Sequence, residues 1–360
     1  MKTNKFLIGF LLQATVCSSG LHAQTDLHAN AYSIIQDAVT DIVCTSPTDA
    51  IQKEKRVIQI LDGKGKGDAS FVCMCDRFSS LKKFSGEVRD ASGNVIRKIK
   101  KSELKVTEYS DELVSDDYYY FFEYTPSRYP ITITYEWEIK NSDGLIGYPS
   151  FLPQKNYNQS VAQASYRILT PADNPCRYRT INMQAEVSQK QTTDGNWLTE
   201  VKVQSLPAIQ KEPYSPALSE LLPRIYFTPR NFSFEGTKGS MDNWQTYGAW
   251  QYQLLSGRDQ IPPALKEELQ RRTANCNTPY EKIAAVYQYL ASTTRYVSIQ
   301  LGIGGLQPIA AADVHRTGFG DCKGLSNYMR AMLTELGIPS TYTVISTTNR
   351  RLLSLIHISE

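Results

Sequence analysis

Cys322 is the residue of this sequence best placed to act as a nucleophile. It lies in the run Gly318-Phe319-Gly320-Asp321-Cys322-Lys323-Gly324, whose flanks are glycine and polar residues. Apolar residues recur at helical spacing after it, and Gly337 and Pro339 predict the end of that helix. Asp321 is a typical N-cap residue, which places Cys322 in the first helical turn. The partial positive charge of that helix end favours the thiolate, the nucleophilic form of cysteine.

Two interpretations of Cys322 stay open on the residues alone. A single cysteine in a helix is most often a small buried hydrophobic residue. The polar flanks and the position at the helix start favour a reactive thiol instead. A thiolate nucleophile needs a base, usually His, and often a third residue that orients the His. Near Cys322 in sequence are His315, interpreted as part of the segment leading into the helix, and His357.

Length and composition are those of a globular protein with about two domains. The chain has 360 residues, and its net charge of +3 is too small to indicate a nucleic-acid partner. A basic start followed by an apolar stretch over residues 6–16 predicts a signal peptide covering residues 1–23. No other segment has the length and apolarity of a transmembrane helix. We therefore expect an exported protein of the periplasm or cell envelope, without lipid anchoring through Cys17, because Val16 is bulky for such a site.

Neither a metal site nor a phosphate-binding loop is predicted. Cys73 and Cys75 are too close for a zinc knuckle and have no His or second Cys pair nearby, so they are interpreted as alternate positions on a strand. Two glycine-rich runs, residues 63–67 and 301–305, lack the Lys-Ser/Thr pair of a phosphate loop. They are interpreted as turns.

Residues 24–210 predict an antiparallel β-sandwich. Apolar and polar residues alternate over 131–139, which predicts a strand with one buried face. An aromatic strand over 118–124 is expected to pair with it as a hairpin. A turn signal at 90–93 separates strand-like runs around Val88 and Ile96, and one at 193–196 separates runs over 181–188 and 197–203.

The pattern changes after the predicted sandwich. Five prolines crowd residues 206–229, so residues 211–240 are predicted to form a Pro-rich connector. Aromatic residues at helical spacing over 241–255 are interpreted as core packing. A capping box over 278–281, with Pro at the first helical position, predicts the start of another helix.

Several motifs around Cys322 resemble a known family. They are the run Tyr-Val-Ser-Ile-Gln-Leu-Gly-Ile-Gly-Gly over 296–305, Gln307-Pro308, and Gly-Asp-Cys-Lys over 320–323, which opens a helix ending in Leu-Gly-Ile-Pro. Together they resemble bacterial transglutaminase-like proteins of the papain-like superfamily. The region before them is similar to the domain of unknown function that precedes such domains in exported proteins of Bacteroides-like bacteria. The resemblance implies a multidomain fold, with the N-terminal antiparallel β-sandwich followed by a partial α+β transglutaminase-like (papain-like) domain over 241–360.

The resemblance also implies a Cys-His-Asp site in that chain order. Cys322 corresponds to the family nucleophile, and His357 is the candidate base because it lies near the expected distance along the chain. The backbone N–H of Cys322 is an expected oxyanion donor, and Gln300 is a side-chain candidate for the same role. No metal or cofactor is implied.

The end of the sequence departs from the family pattern. No Asp follows His357, and residues 352–360 resemble the translation of a sequencing adaptor. We therefore expect the transglutaminase-like domain to be truncated at its C-terminus and the chain to be inactive. We also expect the apolar face of the Cys322 helix to lack its partner. That face includes Leu325, Met329 and Leu333.

Two functions of different classes follow. The first is cysteine-dependent acyl transfer or amide hydrolysis, transglutaminase-like or protease-like, in which Cys322 forms a thioester with a protein or peptide amide. The second is an exported glycan- or peptide-binding protein whose transglutaminase-like domain is not catalytic. Either way, the expected partner is a peptide or glycan, such as one of the cell envelope.

Overall fold

A computed structural model describes residues 26–108, 114–183 and 185–345. It shows a β-rich N-terminal region followed by a helical C-terminal region. The predicted signal peptide with Cys17 and the candidate base His357 lie outside the described residues. None of the described helices is long and apolar enough to cross a membrane.

The strands of the described residues are β1 (Ser33–Cys44), β2 (Ala50–Ile60), β3 (Phe71–Cys75), β4 (Ser79–Arg89), β5 (Val95–Lys100), β6 (Lys105–Glu108), β7 (Val114–Ser115), β8 (Tyr118–Phe122), β9 (Ile131–Asn141), β10 (Tyr148–Phe151), β11 (Gln159–Thr170), β12 (Cys176–Ile181), β13 (Val187–Gln191), β14 (Trp197–Leu206), β15 (Arg224–Pro229), β16 (Asn231–Phe234), β17 (Thr237–Ser240), β18 (Arg295–Tyr296), β19 (Ile299–Gln300) and β20 (Phe319–Gly320). The α-helices are α1 (Leu218–Leu221), α2 (Trp244–Leu255), α3 (Pro263–Thr273), α4 (Pro279–Thr293), α5 (Ala311–Thr317) and α6 (Cys322–Glu335).

The main sheet has the strand order β13-β14-β11-β1-β2-β9-β4-β5. Its neighbouring strands are antiparallel, except for the parallel pair β1 and β11. Two smaller sheets, β10-β15-β12 and β3-β8-β6, pack against one face of it. Each small sheet encloses its own hydrophobic cluster with the main sheet. The layered β region followed by a helical domain confirms the predicted multidomain fold class.

Two of the predicted turns lie between strands that pair with each other, although among the described residues the predicted run over 181–188 is a strand only at its two ends. Strand β4 pairs with β5 across the turn at 90–93, and β13 pairs with β14 across the turn at 193–196. The predicted hairpin of β8 with β9 is wrong. Both edges of β9 are occupied by β2 and β4, and β8 pairs with β3 and β6 in a separate sheet. A turn signal between two strands does not specify their partners when stronger long-range pairings compete.

Residues 211–240, predicted as a connector, contain regular structure. Strand β15 pairs with β10 and β12 and contributes the buried Ile225 and Phe227 to the core of the β region. Strands β16 and β17 form a hairpin that packs with Trp250 of α2 through Phe232 and Phe234. The prolines lie mostly between these short elements or at the end of β15.

The helical region packs around α6. Helices α3, α4 and α5 supply buried residues that cover its apolar face: Leu265, Leu269, Val286, Tyr289 and Val314. Leu333 is buried, and Leu325 and Met329 are partly buried against this cluster. The expectation that the apolar face of the Cys322 helix lacks a partner is therefore wrong. The partner consists of helices that precede α6 in the chain.

The glycine-rich run at 63–67 contains a matched pair of positions for testing the N-terminal fold. A Cβ on Gly65 would lie 2.3 Å from the backbone oxygen of Tyr32, whereas a Cβ on Gly67 would meet nothing within 4 Å. We expect Gly65→Ala to lower the free energy of unfolding by about 2 kcal/mol, because backbone must move to admit the methyl group. Gly67→Ala should stay within about 0.5 kcal/mol of the parent chain. Urea titration of both variants measures the difference, and equal stability would contradict this close approach.

Candidate active site

Asp321 caps α6 as predicted. Its carboxylate Oδ1 accepts a hydrogen bond from the Gly324 N–H at 2.8 Å, and Oδ2 accepts one from Lys323 Nζ. The Asp321 side chain is almost fully buried, with the residue 2% exposed. Because both oxygens are engaged in holding the helix start, Asp321 has a structural role beside the thiol.

Cys322 is the first residue of α6, at the end of the helix with partial positive charge. It is solvent exposed, unlike Cys44, Cys73, Cys75 and Cys176, which are buried. Within the described residues its Sγ makes no hydrogen bond. The interpretation of Cys322 as a buried hydrophobic residue is therefore wrong, and the thiol is accessible to a substrate.

Two glycines of the Gly-Phe-Gly-Asp-Cys run fit the backbone into this position. Gly318 ends α5 in the left-handed conformation, with φ at 68°. A Cβ on Gly320 would lie 3.0 Å from Leu325 Cδ2 and 3.3 Å from the Leu325 backbone N. The chain therefore reverses at Gly318 and passes close to the first turn of α6 at Gly320.

A short parallel strand pair lies directly before the thiol. Strand β18 runs beside β20, with Tyr296 paired to Gly320. The Arg295 N–H donates to the Gly318 carbonyl at 2.8 Å, and the Val297 N–H donates to the Gly320 carbonyl at 3.0 Å. Residues 295–297 thus form one wall beside the start of α6.

Tyr342, which follows α6 in the chain, is an electrostatic neighbour of Cys322. Burial, together with the smaller effects of the neighbouring Cys322 and Asp321, raises the pKa of Tyr342 to about 12. The phenol is therefore protonated at neutral pH and is a potential hydrogen-bond donor beside Cys322. Sequence reasoning missed Tyr342, because no spacing pattern connects it with the cysteine.

His315 is held by a partner other than the thiol. Its Nδ1 lies 3.0 Å from the hydroxyl of Tyr328, a buried residue of α6. This contact ties α5 to α6, in keeping with the structural interpretation of His315. In the described part of the chain no imidazole is hydrogen-bonded to Cys322, and His357 as base stays a prediction.

Gln300 lies next to the N-terminal region. It is exposed on β19, where it pairs with Ser115 of β7. The structure brings residues 295–297 to the start of α6 and directs Gln300 to a different partner. Its role as an oxyanion donor stays a prediction, whereas the Cys322 N–H has the expected place at the free end of the helix.

The glycine-rich loop over 301–305 anchors this segment to the N-terminal region. The Gly302 N–H donates to Asp116 at 2.5 Å, and the Ile303 N–H donates to Glu235 at 2.8 Å. Arg77 forms an ion pair with the same Glu235 at 3.2 Å. Two carboxylates thus occupy the amides that a phosphate loop would offer to a nucleotide. No group of three or more His, Cys, Asp and Glu side chains in the described residues could hold a metal ion.

Family comparisons agree with the two regions of the fold. Residues 50–210 match the Domain of Unknown Function family DUF3857, and residues 267–351 match the Transglutaminase-like superfamily. The chain therefore combines an N-terminal DUF3857 domain with a transglutaminase-like core. No curated protein matches the chain.

Solved structures give a consistent result for the fold. The chain is similar to a "putative protease" from Parabacteroides distasonis, with a TM-score of 0.61 and 14% sequence identity. The likeness covers 86% of this chain and 59% of that protein, so the chain spans less than two thirds of its relative's length. An M1 zinc metallopeptidase from Deinococcus radiodurans reaches a TM-score of only 0.27 at 8% identity, over 54% of this chain and 42% of that one. At such values only the first likeness supports a common fold.

Proposed function

We propose that this protein is a cysteine-dependent enzyme that hydrolyses amides or transfers acyl groups through a thioester on Cys322. The observation that carries the proposal is the exposed thiol at the first position of a well-capped helix, inside a transglutaminase-like core. A nucleophile in this position has access to substrate and stands at the positive end of the helix.

The proposed reaction has two half-reactions. The thiolate Sγ of Cys322 attacks the amide carbonyl carbon, the C–S bond forms, and the C–N bond breaks as the amine leaves with a proton from a general acid. Water then releases a carboxylic acid, or a second amine forms a new amide. The developing oxyanion has the Cys322 N–H as a donor, and the protonated phenol of Tyr342 lies nearby as a second one.

The base and the substrate are finer parts of the same proposal. His357 is the proposed base, supplied from beyond the described residues. A peptide or protein amide is the proposed substrate, in line with the printed description of the Parabacteroides relative. Because the sequence predicts a signal peptide, we propose that the protein is exported and that its substrate lies in the cell envelope.

Amide turnover by the parent chain and by Cys322→Ala tests the proposal. A glutamine-containing peptide serves as substrate, ammonia release reports the first half-reaction, and incorporation of a labelled amine separates transfer from hydrolysis. We expect any turnover to depend on Cys322, with a loss on the order of 1,000-fold in the Ala variant. Turnover that survives the substitution would contradict the proposal. Turnover that is lost in Cys322→Ala is the result that the proposal expects.

A further inference from the structure

The central strand of the main sheet presents polar side chains to the inner face of the β region. Arg56 of β2 lies directly opposite Ala38 of β1 and Tyr135 of β9, both on the inner face of the sheet. Glu54, two residues earlier, shares the face of Arg56. The apolar core is split at this strand into one cluster towards β11 and another towards β4. Charged side chains between two apolar clusters cost folding free energy unless they are paired or hydrogen-bonded.

Arg56 is a cation that forms no ion pair with any of the described residues, although the charge of Glu54 lies near it. In the described part of the chain it forms no ion pair, its buried Nε has no hydrogen-bond partner, and its guanidinium lies over the Trp137 ring, 5.9 Å from the centroid. Burial lowers the pKa of Arg56 from its ordinary value. The hydroxyl of Tyr166, on the same face of the sheet and 1% exposed, also lacks a partner. Unpaired buried polar atoms of this kind are rare in folded proteins.

Lys155 places a second cation near Arg56. Its side chain is exposed at the mouth of a cavity that Arg56 also lines. Loss of hydration there and the nearby charge of Arg56 lower the pKa of Lys155 to about 7, against weaker opposing effects of Glu54 and Cys73. Both cations line one cavity, and neither forms an ion pair with Glu54, the carboxylate nearest to both, among the described residues. This is the arrangement expected of an anion site.

The carboxylates nearby are already engaged with other donors. Glu54 accepts a hydrogen bond from Gln52 at 2.8 Å. Asp68 accepts hydrogen bonds from Ser33, from Asn156 and, at 3.0 Å, from Gln159. Neither carboxylate forms an ion pair with Arg56 or Lys155 among the described residues, so both cations are available to a ligand.

A cavity of about 240 Å³ opens between these groups. Its charged lining consists of Arg56, Lys155 and the Asp68 carboxylate, and its apolar lining includes Phe71 and Trp137. We propose that this cavity of the N-terminal domain binds a small ligand through one carboxylate, which bridges Arg56 and Lys155 while the rest of the ligand packs on the apolar wall. A pocket with mostly preformed walls and a few convergent polar groups is typical of small-molecule sites.

The charges around the cavity favour a single negative charge on the ligand. Asp68 lines the cavity and would repel a dianion such as phosphate more strongly than a single negative charge, whereas the two cations match one planar carboxylate. Two ligand sources share this chemistry, namely an amino-acid or peptide terminus and a sugar acid. The apolar lining favours the amino-acid source.

Isothermal titration calorimetry of the full chain with matched acid and neutral probes tests the site. We use N-acetyl-L-leucine and its amide for the first source, glucuronic acid and glucose for the second, and inorganic phosphate as the dianion. We expect N-acetyl-L-leucine to bind at least about tenfold more tightly than its amide. Preferential binding of glucuronic acid over glucose would assign the sugar source to the same site. Equal binding of acid and neutral probes, no binding of either acid, or tighter binding of phosphate would overturn the proposal.

A matched pair of lysine variants separates the site from general charge effects. We expect Lys155→Met to weaken the binding of the acid by about tenfold and to abolish the preference over the amide. Lys82→Met removes a different exposed lysine and should leave binding unchanged. The Lys155→Met chain should unfold at no lower temperature than the parent, because the variant relieves repulsion with Arg56. Unchanged affinity in a folded Lys155→Met chain would overturn the proposal.

The pH dependence of binding provides an independent readout. The charged and titratable groups around Lys155 are Arg56, Glu54 and Cys73. Since the protonated form of Lys155 binds the carboxylate, affinity in the parent chain should fall as the pH rises above about 7. Lys155→Met has no such group and should bind weakly at every pH. A parent profile that is flat between pH 6 and about 9 would contradict the role of Lys155.

Discussion

We expect iodoacetamide to modify Cys322 in the native protein at least about tenfold faster than Cys276, and to leave the four cysteines of the β region unmodified. Cys322 is exposed at the start of α6, Cys276 is half-buried, and the others are enclosed in the two apolar clusters. Burial raises the pKa of Cys44 to about 12 and that of Cys176 still further, so these thiols are protected by both inaccessibility and protonation. Mass spectrometry after a short reaction near neutral pH identifies the modified residue.

The comparison with a free thiol tests activation rather than exposure alone. N-acetylcysteine under the same conditions gives the reference rate, and we expect Cys322 to react faster because its sulfur stands at the positive end of a helix. Cys322→Ala should remove nearly all fast labelling, while Cys276→Ala should leave it intact. A Cys322 rate at or below that of N-acetylcysteine would show that the thiol is exposed but not activated. In that case the second function, a binding protein with a non-catalytic core, would be favoured.

Local signals were sufficient to predict the helix that carries the candidate nucleophile. Asp321 caps α6, and the apolar spacing after Cys322 gives the buried face of the helix, because both depend on residues within a few turns of one another. The capping box at Thr278 and Glu281 that opens α4 was predicted for the same reason. These elements are specified within the segment that forms them.

The neighbours of the thiol depend on long-range pairing that a single sequence does not display. Strands β18 and β20 have two residues each, which is too short for any periodicity. Tyr342 follows α6 in a stretch without regular secondary structure, so nothing in its spacing indicates that it returns to Cys322. The inner face of β2 could not be predicted from alternation either. Glu54 and Arg56 lie on that face, where a buried strand normally carries apolar side chains.

The segment between α4 and the glycine-rich loop links the candidate active site with the N-terminal domain. Its first part pairs with the residues before Cys322, and its second part pairs with β7 and donates to Asp116 and Glu235. The two ends are only a few residues apart along the chain. One short hydrogen-bonded segment therefore joins the N-terminal domain to the wall of the thiol site.

Asp321→Ala should destabilise the helical region by about 3 kcal/mol. The substitution removes the acceptor for the Gly324 N–H, and it leaves the largely buried ammonium of Lys323 without its carboxylate. Asp321→Asn keeps an oxygen that can cap the helix but removes the charge, so we expect about half of that loss. Thermal unfolding of the three chains measures the order, which should be parent, then Asn, then Ala.

The same pair of variants distinguishes the structural role of Asp321 from its effect on the thiol. In Asp321→Asn the negative charge next to Cys322 disappears while the positive charge of Lys323 remains, so we expect iodoacetamide to label Cys322 faster than in the parent chain. Asp313→Asn is the control, because its ion pair with Arg316 is exposed and should contribute less than about 1 kcal/mol. Slower labelling in a folded Asp321→Asn chain would show that the carboxylate itself activates the thiol. That result would make Asp321 a member of the reactive site as well as a helix cap. A base from the residues after α6, such as His357, would then no longer be needed to activate the thiol.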